Sequence, residues 1–317
     1  MKPITKQSTK KRAFTIVELL TVMSIIVILI GLLIPSLNMA KRYAKTVRQK
    51  AQLHSIDAAL ELFNNEFDGY PPSEAMDPAN RVYCGAMKLC EAMMGWDLLG
   101  FHTSSVFRRD GMDAAGKILL YDPRQPNLTS SRKGPFLPLE NANAYKLGAL
   151  YPPDSPGINT FEADKFPLFV LCDVFTRDLY NVKAGMPILY YRANTTNLLH
   201  LRDANGKQLP LPPDPTDDGG YIYNFWDNHP LVGLGKPWVK GGGGTQEKMH
   251  KLFEDSKATP AEEPGLRFYM NTRNDKVASP WRPYRADSYI LISAGWDNEY
   301  GTADDVCNFD WKYQQQP

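Results

Sequence analysis

The chain has 317 residues, of which 43% are hydrophobic, and its formal net charge is +1 at pH 7. This is an ordinary globular composition, and the near-neutral charge excludes the basic excess expected of a nucleic-acid-binding protein. One long apolar run lies near the N-terminus, and the part of the chain that follows it is long enough to bury a substantial core.

The first predicted element is a membrane-spanning helix. A basic cluster, Lys10, Lys11 and Arg12, precedes an apolar run over residues 14–34 that contains one acidic residue, Glu18. Its twenty-one residues are enough to cross a hydrocarbon core of about 30 Å at about 1.5 Å per residue. A carboxylate within such a helix costs on the order of 3 kcal/mol on insertion, so Glu18 calls for a partner.

Two other interpretations of this run are simpler. A secretory signal peptide has an apolar core of only about 7 to 15 residues, followed by a small-residue cleavage site. The run here is longer, and the residues after it match such a site weakly. A plain signal anchor fits the length but gives no reason for Glu18. Basic residues flank the run equally on both sides, so charge alone does not set its orientation.

The arrangement resembles the leader and first helix of type IV prepilins and type II secretion pseudopilins. In that family a peptidase cuts before a phenylalanine, the new N-terminus is methylated, and the fifth mature residue is glutamate. The resemblance implies cleavage between Ala13 and Phe14, with Glu18 in fifth place. The family usually has glycine before the cut, and Ala13 departs from that pattern. The resemblance also implies a single-pass inner-membrane protein with a cytoplasmic leader, residues 1–13, and a periplasmic head.

The helix is predicted to continue beyond the membrane. Pro35 removes a backbone donor, which predicts a kink or a local break where the transmembrane segment, residues 14–35, leaves the bilayer. Over residues 36–68 apolar side chains recur at three- and four-residue spacing, with one slip, and predict an amphipathic helix that Gly69 and two prolines end. The apolar positions are Ala40, Tyr43, Ala44, Val47, Ala51, Ile56, Leu60, Phe63 and Phe67.

The remaining residues, 69–317, are predicted to form a globular head of the α+β class. Apolar periodicity predicts helices at residues 80–94 and 246–255, and the strand-like runs are separated by loops, which favours an antiparallel sheet. The strand-like runs are residues 168–175, 187–191, 221–226 and 289–293. A long N-terminal helix packed on such a head is the pilin architecture, here with large insertions.

The four cysteines, Cys84, Cys90, Cys172 and Cys307, show no metal-type pairing. If the first two share a helix, their Cα atoms lie about 9 Å apart, whereas a disulfide needs about 4.4 to 6.8 Å. We therefore expect buried free thiols. A long-range bond between Cys172 and Cys307 stays open if the head is extracytoplasmic.

A second informative segment lies at residues 293–305, after the last predicted strand. It carries Asp297, Asp304 and Asp305 together with glycines. Closely spaced carboxylates repel each other unless a cation or water shields them, and Ca²⁺ binds six to eight oxygen ligands in loops of this kind. The glycine and glutamate positions exclude an EF-hand. An exposed polar turn is the alternative, because aspartate and glycine are turn residues.

The same segment resembles the calcium loop near the C-terminus of the major pseudopilin of type II secretion. In that loop Ser-x-Gly-x-Asp precedes a glycine and a further acidic pair. The resemblance implies a Ca²⁺ site with Asp297, Asp304 and Asp305 as side-chain ligands. Ser293 and nearby backbone carbonyls are weaker candidate ligands.

Two other segments contain acidic residues, and neither predicts a functional site. Asp214, Asp217 and Asp218 lie among prolines and glycines, which is typical of a solvated loop. His229 follows an acidic residue, Asp227, but the five histidines form no zinc signature and no nucleophile arrangement. We expect no catalytic residue.

The sequence thus predicts a non-enzymatic, pseudopilin-like subunit of a type II secretion or type IV pilus-like assembly. Phe14, Glu18 and Pro35 are its expected assembly residues. The implied partners are other pilin or pseudopilin subunits, a prepilin peptidase and an inner-membrane assembly platform. The alternative is a membrane-anchored extracytoplasmic enzyme or carbohydrate-binding protein with a structural calcium loop. A pocket with converging titratable groups within residues 80–285 would favour the alternative.

Overall fold

A computed structural model describes residues 15–153, 155, 157–178, 182–202, 207, 209–212, 214–236, 250, 252, 265–277 and 280–309. The chain divides into two compact units, residues 1–44 and residues 45–317. The predicted leader and the processing residues Ala13 and Phe14 lie outside the described residues. So does the predicted helix at 246–255, apart from His250 and Leu252.

The first helix, α1, runs from Ile16 to Phe67 without interruption. Pro35 lies inside it, so the predicted local break is wrong. Ser36 follows the proline, and its hydroxyl donates to the carbonyl oxygens of Leu32 and Leu33, at 3.2 and 2.9 Å. The helix ends where Asp68 takes a positive φ of 56°.

Within the second unit, α1 buries one face from residue 49 onward. Ile56, Leu60 and Phe63 lie on this face, as predicted. Val47 is exposed, and the buried face instead begins with two glutamines. The buried residues are Gln49, Gln52, Leu53, Ile56, Ala59, Leu60 and Phe63.

The two buried glutamines bind backbone groups of the head. Gln49 Oε1 accepts from the amide of Val174 at 2.9 Å. Gln52 Nε2 donates to the carbonyl oxygen of Cys172 at 2.9 Å. A pattern of apolar side chains does not reveal such contacts, because buried amides are satisfied by hydrogen bonds rather than by apolar burial. The one irregularity in the predicted three- and four-residue spacing of apolar side chains therefore lies where polar side chains occupy the buried face.

The second helix, α2 (Gly85–Met94), is buried along its whole length. It begins five residues later than the sequence predicts, after Cys84. Asp77 explains the difference, because its carboxylate accepts the backbone amides of Ala79 and Arg81, each at 2.9 Å, and closes a turn there. Glycine is required at the start of α2, since a Cβ on Gly85 would collide with a backbone carbonyl of a neighbouring strand.

Short antiparallel ladders make up the rest of the described head, together with short helices. The paired strands are β1 (Phe101–His102) with β2 (Arg132–Lys133), β3 (Ala144–Lys146) with β4 (Phe169–Leu171), β5 (Arg177–Asp178) with β6 (Lys183–Ala184), and β7 (Leu189–Arg192) with β8 (Tyr289–Ser293), which also pairs with β9 (Val306–Cys307). The remaining helices are α3 (Pro126–Ser130), α4 (Leu139–Ala142), α5 (Leu147–Leu150), α6 (His229–Val232) and α7 (Leu266–Thr272), with 3₁₀ helices at Ile158–Phe161 and Phe225–Asn228. Mixed helix and antiparallel sheet confirms the α+β class.

One predicted strand is wrong. Residues 221–226 form a single parallel bridge, between Leu199 and Tyr221, and then enter a 3₁₀ helix at Phe225. Asn224 starts that helix, because its side-chain oxygen accepts from the amide of Trp226 at 3.1 Å. The aromatic and β-branched residues of this run favour a strand by propensity, but the local cap decides the structure.

The thiol prediction agrees with the structure. All four cysteines are free, and three of them, Cys84, Cys90 and Cys172, are buried. Burial raises the pKa of each of these three thiols, so they are packing groups rather than reactive thiolates.

Candidate functional site

The start of α1 is built by a reciprocal pair of side chains. Thr15 donates its backbone amide and its hydroxyl to Glu18 Oε2, at 2.9 and 2.7 Å. In return, the amide of Glu18 donates to the hydroxyl of Thr15 at 3.2 Å. This is a capping box, which satisfies amides that a helix N-terminus otherwise leaves unpaired. Glu18 therefore has a local structural role in capping the helix. The Thr-x-x-Glu spacing that indicates such a box is present in the sequence, but the sequence interpretation missed it.

The described part of the first unit exposes every side chain from residue 15 to residue 44. Its apolar side chains are largely exposed: Ile16 is 81% exposed and Leu32 is 71% exposed. Among the described residues, α1 is the one helix long and apolar enough to cross a membrane. So large an exposed apolar surface is compatible with a lipid environment.

The acidic loop, defined here as residues 294–305, connects β8 to β9. Ser293 pairs with Val306 across the ladder, so the loop starts and ends at adjacent positions on the sheet. Gly295 makes the tight return possible. It has a φ of +65°, and a Cβ there would collide with the carbonyl oxygen of Asp304.

Two of the predicted ligands lie side by side in this loop. Asp304 Oδ2 accepts from the backbone amide of Asp297 at 3.0 Å, and Asp304 Oδ1 accepts from the hydroxyl of Thr302 at 2.8 Å. Burial, followed by the negative charge of Asp304, raises the pKa of Asp297. A cation beside both carboxylates would relieve this repulsion.

The third predicted ligand, Asp305, is directed into the loop itself. Its Oδ2 accepts from the amide of Gly301 at 2.7 Å, and its Oδ1 lies 3.4 Å from the hydroxyl of Thr302. Burial raises the pKa of Asp305 well above its usual range. Since Thr302 also binds Asp304, one hydroxyl connects the two neighbouring carboxyl groups.

Ser293, the weaker candidate ligand, forms a hydrogen bond with a carboxyl group outside the loop. Its hydroxyl donates to Asp173 Oδ2 at 2.8 Å and accepts from the amide of Gly295 at 3.3 Å. Within the described ranges, no three His, Cys, Asp or Glu side chains are grouped to hold one metal ion. The loop therefore offers Asp297 and Asp304 as a pair, with any further ligands coming from backbone oxygens or water.

The structure also places the aspartates and the histidine for which the sequence predicted no functional role. Asp214 and Asp217 are exposed and close turns through backbone amides, as expected of a solvated loop. Asp218 is different, because it accepts the side-chain amides of Asn194 and Asn197 at 2.9 and 2.7 Å. His229 packs against Trp226, with ring centroids 4.4 Å apart.

No family model, curated protein or solved structure matches this chain.

Proposed function

We propose that this chain is a pseudopilin-like structural subunit of a type II secretion or type IV pilus-like assembly. A prepilin peptidase processes it, and its N-terminal helix polymerises. The single observation that carries the proposal is α1: residues 15–44 are an entirely exposed, largely apolar helical segment, and later residues of the same helix pack into the head. A subunit that is held in a membrane before it polymerises needs such a surface.

Glu18 adds a physical reason for assembly. If cleavage precedes Phe14, it frees an α-amine at the end of the helix, and Glu18 of one subunit can lie beside the amine of its neighbour. Two opposite charges about 4 Å apart attract by about 4 kcal/mol at an effective dielectric near 20. That attraction is comparable with the cost of placing a carboxylate in the bilayer, on the order of 3 kcal/mol. The pair would offset the cost and set the register between subunits.

The proposal also sets location and partners. The protein lies in the inner membrane as a single-pass subunit, with its N-terminus cytoplasmic and its head periplasmic. It assembles with other pilin or pseudopilin subunits on an inner-membrane platform. Its role is structural rather than enzymatic.

We also propose that the acidic loop binds Ca²⁺. The paired carboxylates of Asp297 and Asp304 support it, since their mutual repulsion is relieved by a divalent ion. Asp305 lies next in the chain and shares the hydroxyl of Thr302 with Asp304. Occupation would stiffen the loop between β8 and β9.

The alternative, a membrane-anchored enzyme or carbohydrate-binding protein, is favoured by one specific observation. A pocket of about 390 Å³ in the head is lined by Asp227, Asp218 and Arg192, three charged residues within the range where such a pocket would favour it. A pocket of this kind is compatible with a structural subunit, because the pocket lies in the head and polymerisation uses the N-terminal helix.

The N-terminal residue of the protein recovered from membranes tests the proposed function. In cells with an active prepilin peptidase, intact-mass measurement should find a chain that starts at Phe14 and carries one N-terminal methyl group. Ala13→Gly restores the residue usual in the family and should be cleaved at least as completely. A strain without the peptidase should retain Met1. Retention of Met1 in the strain that has the peptidase would refute the proposal.

A further inference from the structure

The head contains a polar pocket that assembly does not use. It has a volume of about 390 Å³ and is formed by the chain just after α1, the end of β7 and the segment leading into the 3₁₀ helix at Phe225–Asn228. The name polar pocket is used below for this cavity. The lining residues that matter are Ser73, Glu74, Arg192, Thr195, Asp218 and Asp227.

The floor of the polar pocket is a buried carboxyl group. Asp227 is 5% exposed, and its Oδ2 accepts from the hydroxyl of Ser73 at 2.5 Å. Among the described residues, no group donates to Asp227 Oδ1. Asp227 Oδ1 keeps some solvent-accessible surface, so water or a ligand in the pocket can bind it.

This floor is held rigidly. Asn228, next to Asp227, donates to the carbonyl oxygen of Tyr190 at 2.6 Å and accepts from the amide of Ala86 at 2.8 Å. These contacts attach the 3₁₀ helix to β7 and to α2. Ser73 is fixed as well, because its oxygen accepts from the amide of Arg192 at 3.0 Å. The floor is therefore preorganised, which lowers the entropy cost of binding.

One wall of the pocket is also fixed, and another carries available groups. Asp218 is held by three hydrogen bonds, since it accepts from Asn194, Asn197 and the amide of Gly220. By contrast, the guanidinium of Arg192, on the last residue of β7, makes no ion pair or hydrogen bond with the described residues. The pocket thus offers a free charged donor at its rim and a free carboxyl oxygen at its floor.

The side chains that line the pocket restrict the chemical class of ligand that it can bind. One guanidinium faces three carboxyl groups, those of Glu74, Asp218 and Asp227, which disfavours phosphate and other strongly anionic ligands. The short hydroxyl, amide and carboxyl side chains disfavour an apolar ligand, which prefers a mainly hydrophobic pocket. A bare metal ion is disfavoured by the guanidinium and by the lack of a three-ligand group in the described part of the head.

A hydroxyl group both donates and accepts a hydrogen bond, and it matches a lining that presents both kinds of partner. We propose that the polar pocket binds a carbohydrate, with Asp227 and Arg192 as its principal hydrogen-bonding residues. Burial also raises the pKa of Asp227 to about 7, so near neutral pH this group can donate or accept. The inference does not depend on assembly, because no residue of the pocket belongs to α1.

Ligand-observed NMR tests the proposal on the full-length protein in lauryldimethylamine oxide, a detergent without a sugar headgroup. The probes are glucose, galactose, mannose, N-acetylglucosamine, cellobiose and maltose. At least one of them should receive saturation from the protein and bind in a titration. Arg192→Ala and Asp227→Asn should each weaken that binding by about tenfold, which corresponds to about 1.4 kcal/mol.

The control removes an arginine elsewhere. Arg124 has an 87% exposed side chain that pairs with Asp122, and Arg124→Ala should bind the same sugar as tightly as the wild type. The proposal is overturned if no sugar of the panel binds, or if both pocket variants bind as the wild type does. Binding of spermidine that Asp227→Asn abolishes, without binding of any sugar, would instead identify an ammonium site and also overturn it. A processing failure in the mass measurement would leave this result unaffected, so the two proposals fail separately.

Discussion

Asp227 shows how one buried carboxyl group makes the stability of the head depend on pH. Burial is the main cause that raises its pKa from 3.8 to about 7. The charges of Glu74 and Asp218 act in the same direction, while the hydroxyl of Ser73 and the ammonium of Lys88 oppose it. The folded state therefore holds a proton that the unfolded state has already lost between these pH values. The resulting stability is fully present below about pH 4 and is lost as pH rises through about 7.

We expect Asp227→Asn to flatten this dependence. At about 1.4 kcal/mol per pH unit, Asp227 should account for a loss on the order of 2 kcal/mol in the free energy of unfolding between pH 5 and pH 8. Urea denaturation at both pH values measures the loss in the wild type and in the variant. Asp217→Asn changes an exposed turn carboxylate and should behave as the wild type. An unchanged pH dependence in Asp227→Asn would show that other buried carboxyls, such as Asp173, set it.

The acidic loop is the element for which we propose an ion, Ca²⁺. Its ends are fixed by β8 and β9, and near these ends burial and the charge of Asp304 raise the pKa of Asp297. Ca²⁺ at tenfold over its dissociation constant should stabilise the folded head by about 1.4 kcal/mol through mass action. Thermal unfolding with millimolar Ca²⁺ and with chelator measures this gain.

We expect Asp297→Ala and Asp304→Ala to abolish the calcium gain, and Asp305→Ala to reduce it through the shared Thr302. Asp214→Ala, in the other acidic loop, should keep the full gain because its carboxylate only closes a local turn. A melting temperature that is the same with calcium and with chelator would remove the calcium assignment altogether.

For the molecule as a whole, the proposed assembly gives Glu18 a charge pair, whereas the structure shows its carboxylate in a capping box. Glutamine can take the place of glutamate in a capping box, so Glu18→Gln keeps the box and removes the charge. We expect this variant to insert and to be cleaved normally but to assemble poorly, since only the pairing with a neighbouring α-amine is lost. In-cell cross-linking of subunits into filaments measures assembly.

The matched control for Glu18→Gln is Thr15→Ala, which keeps the charge and removes the hydroxyl of the box. It should assemble better than Glu18→Gln. If instead Glu18→Gln filaments form as efficiently as those of the wild type, the charge pair has no role, and Glu18 serves capping or recognition by the processing enzymes.

Features that are local or periodic could be predicted from the amino-acid sequence alone. The apolar run with one carboxylate, the long helix that continues as an amphipathic one, and the strand at Tyr289–Ser293 followed by the acidic loop were all readable, because each depends on neighbours in the chain. The Thr15–Glu18 box was readable too. The carboxyl groups with unusual pKa values could be identified only from the folded structure. Asp227 owes its pKa to burial beside Ser73, 154 positions away in the chain, and Gln49 Oε1 and Gln52 Nε2 are buried where distant backbone groups bind them. Burial and long-range hydrogen bonding have no signature in local composition, so the polar pocket became visible only once the chain was folded.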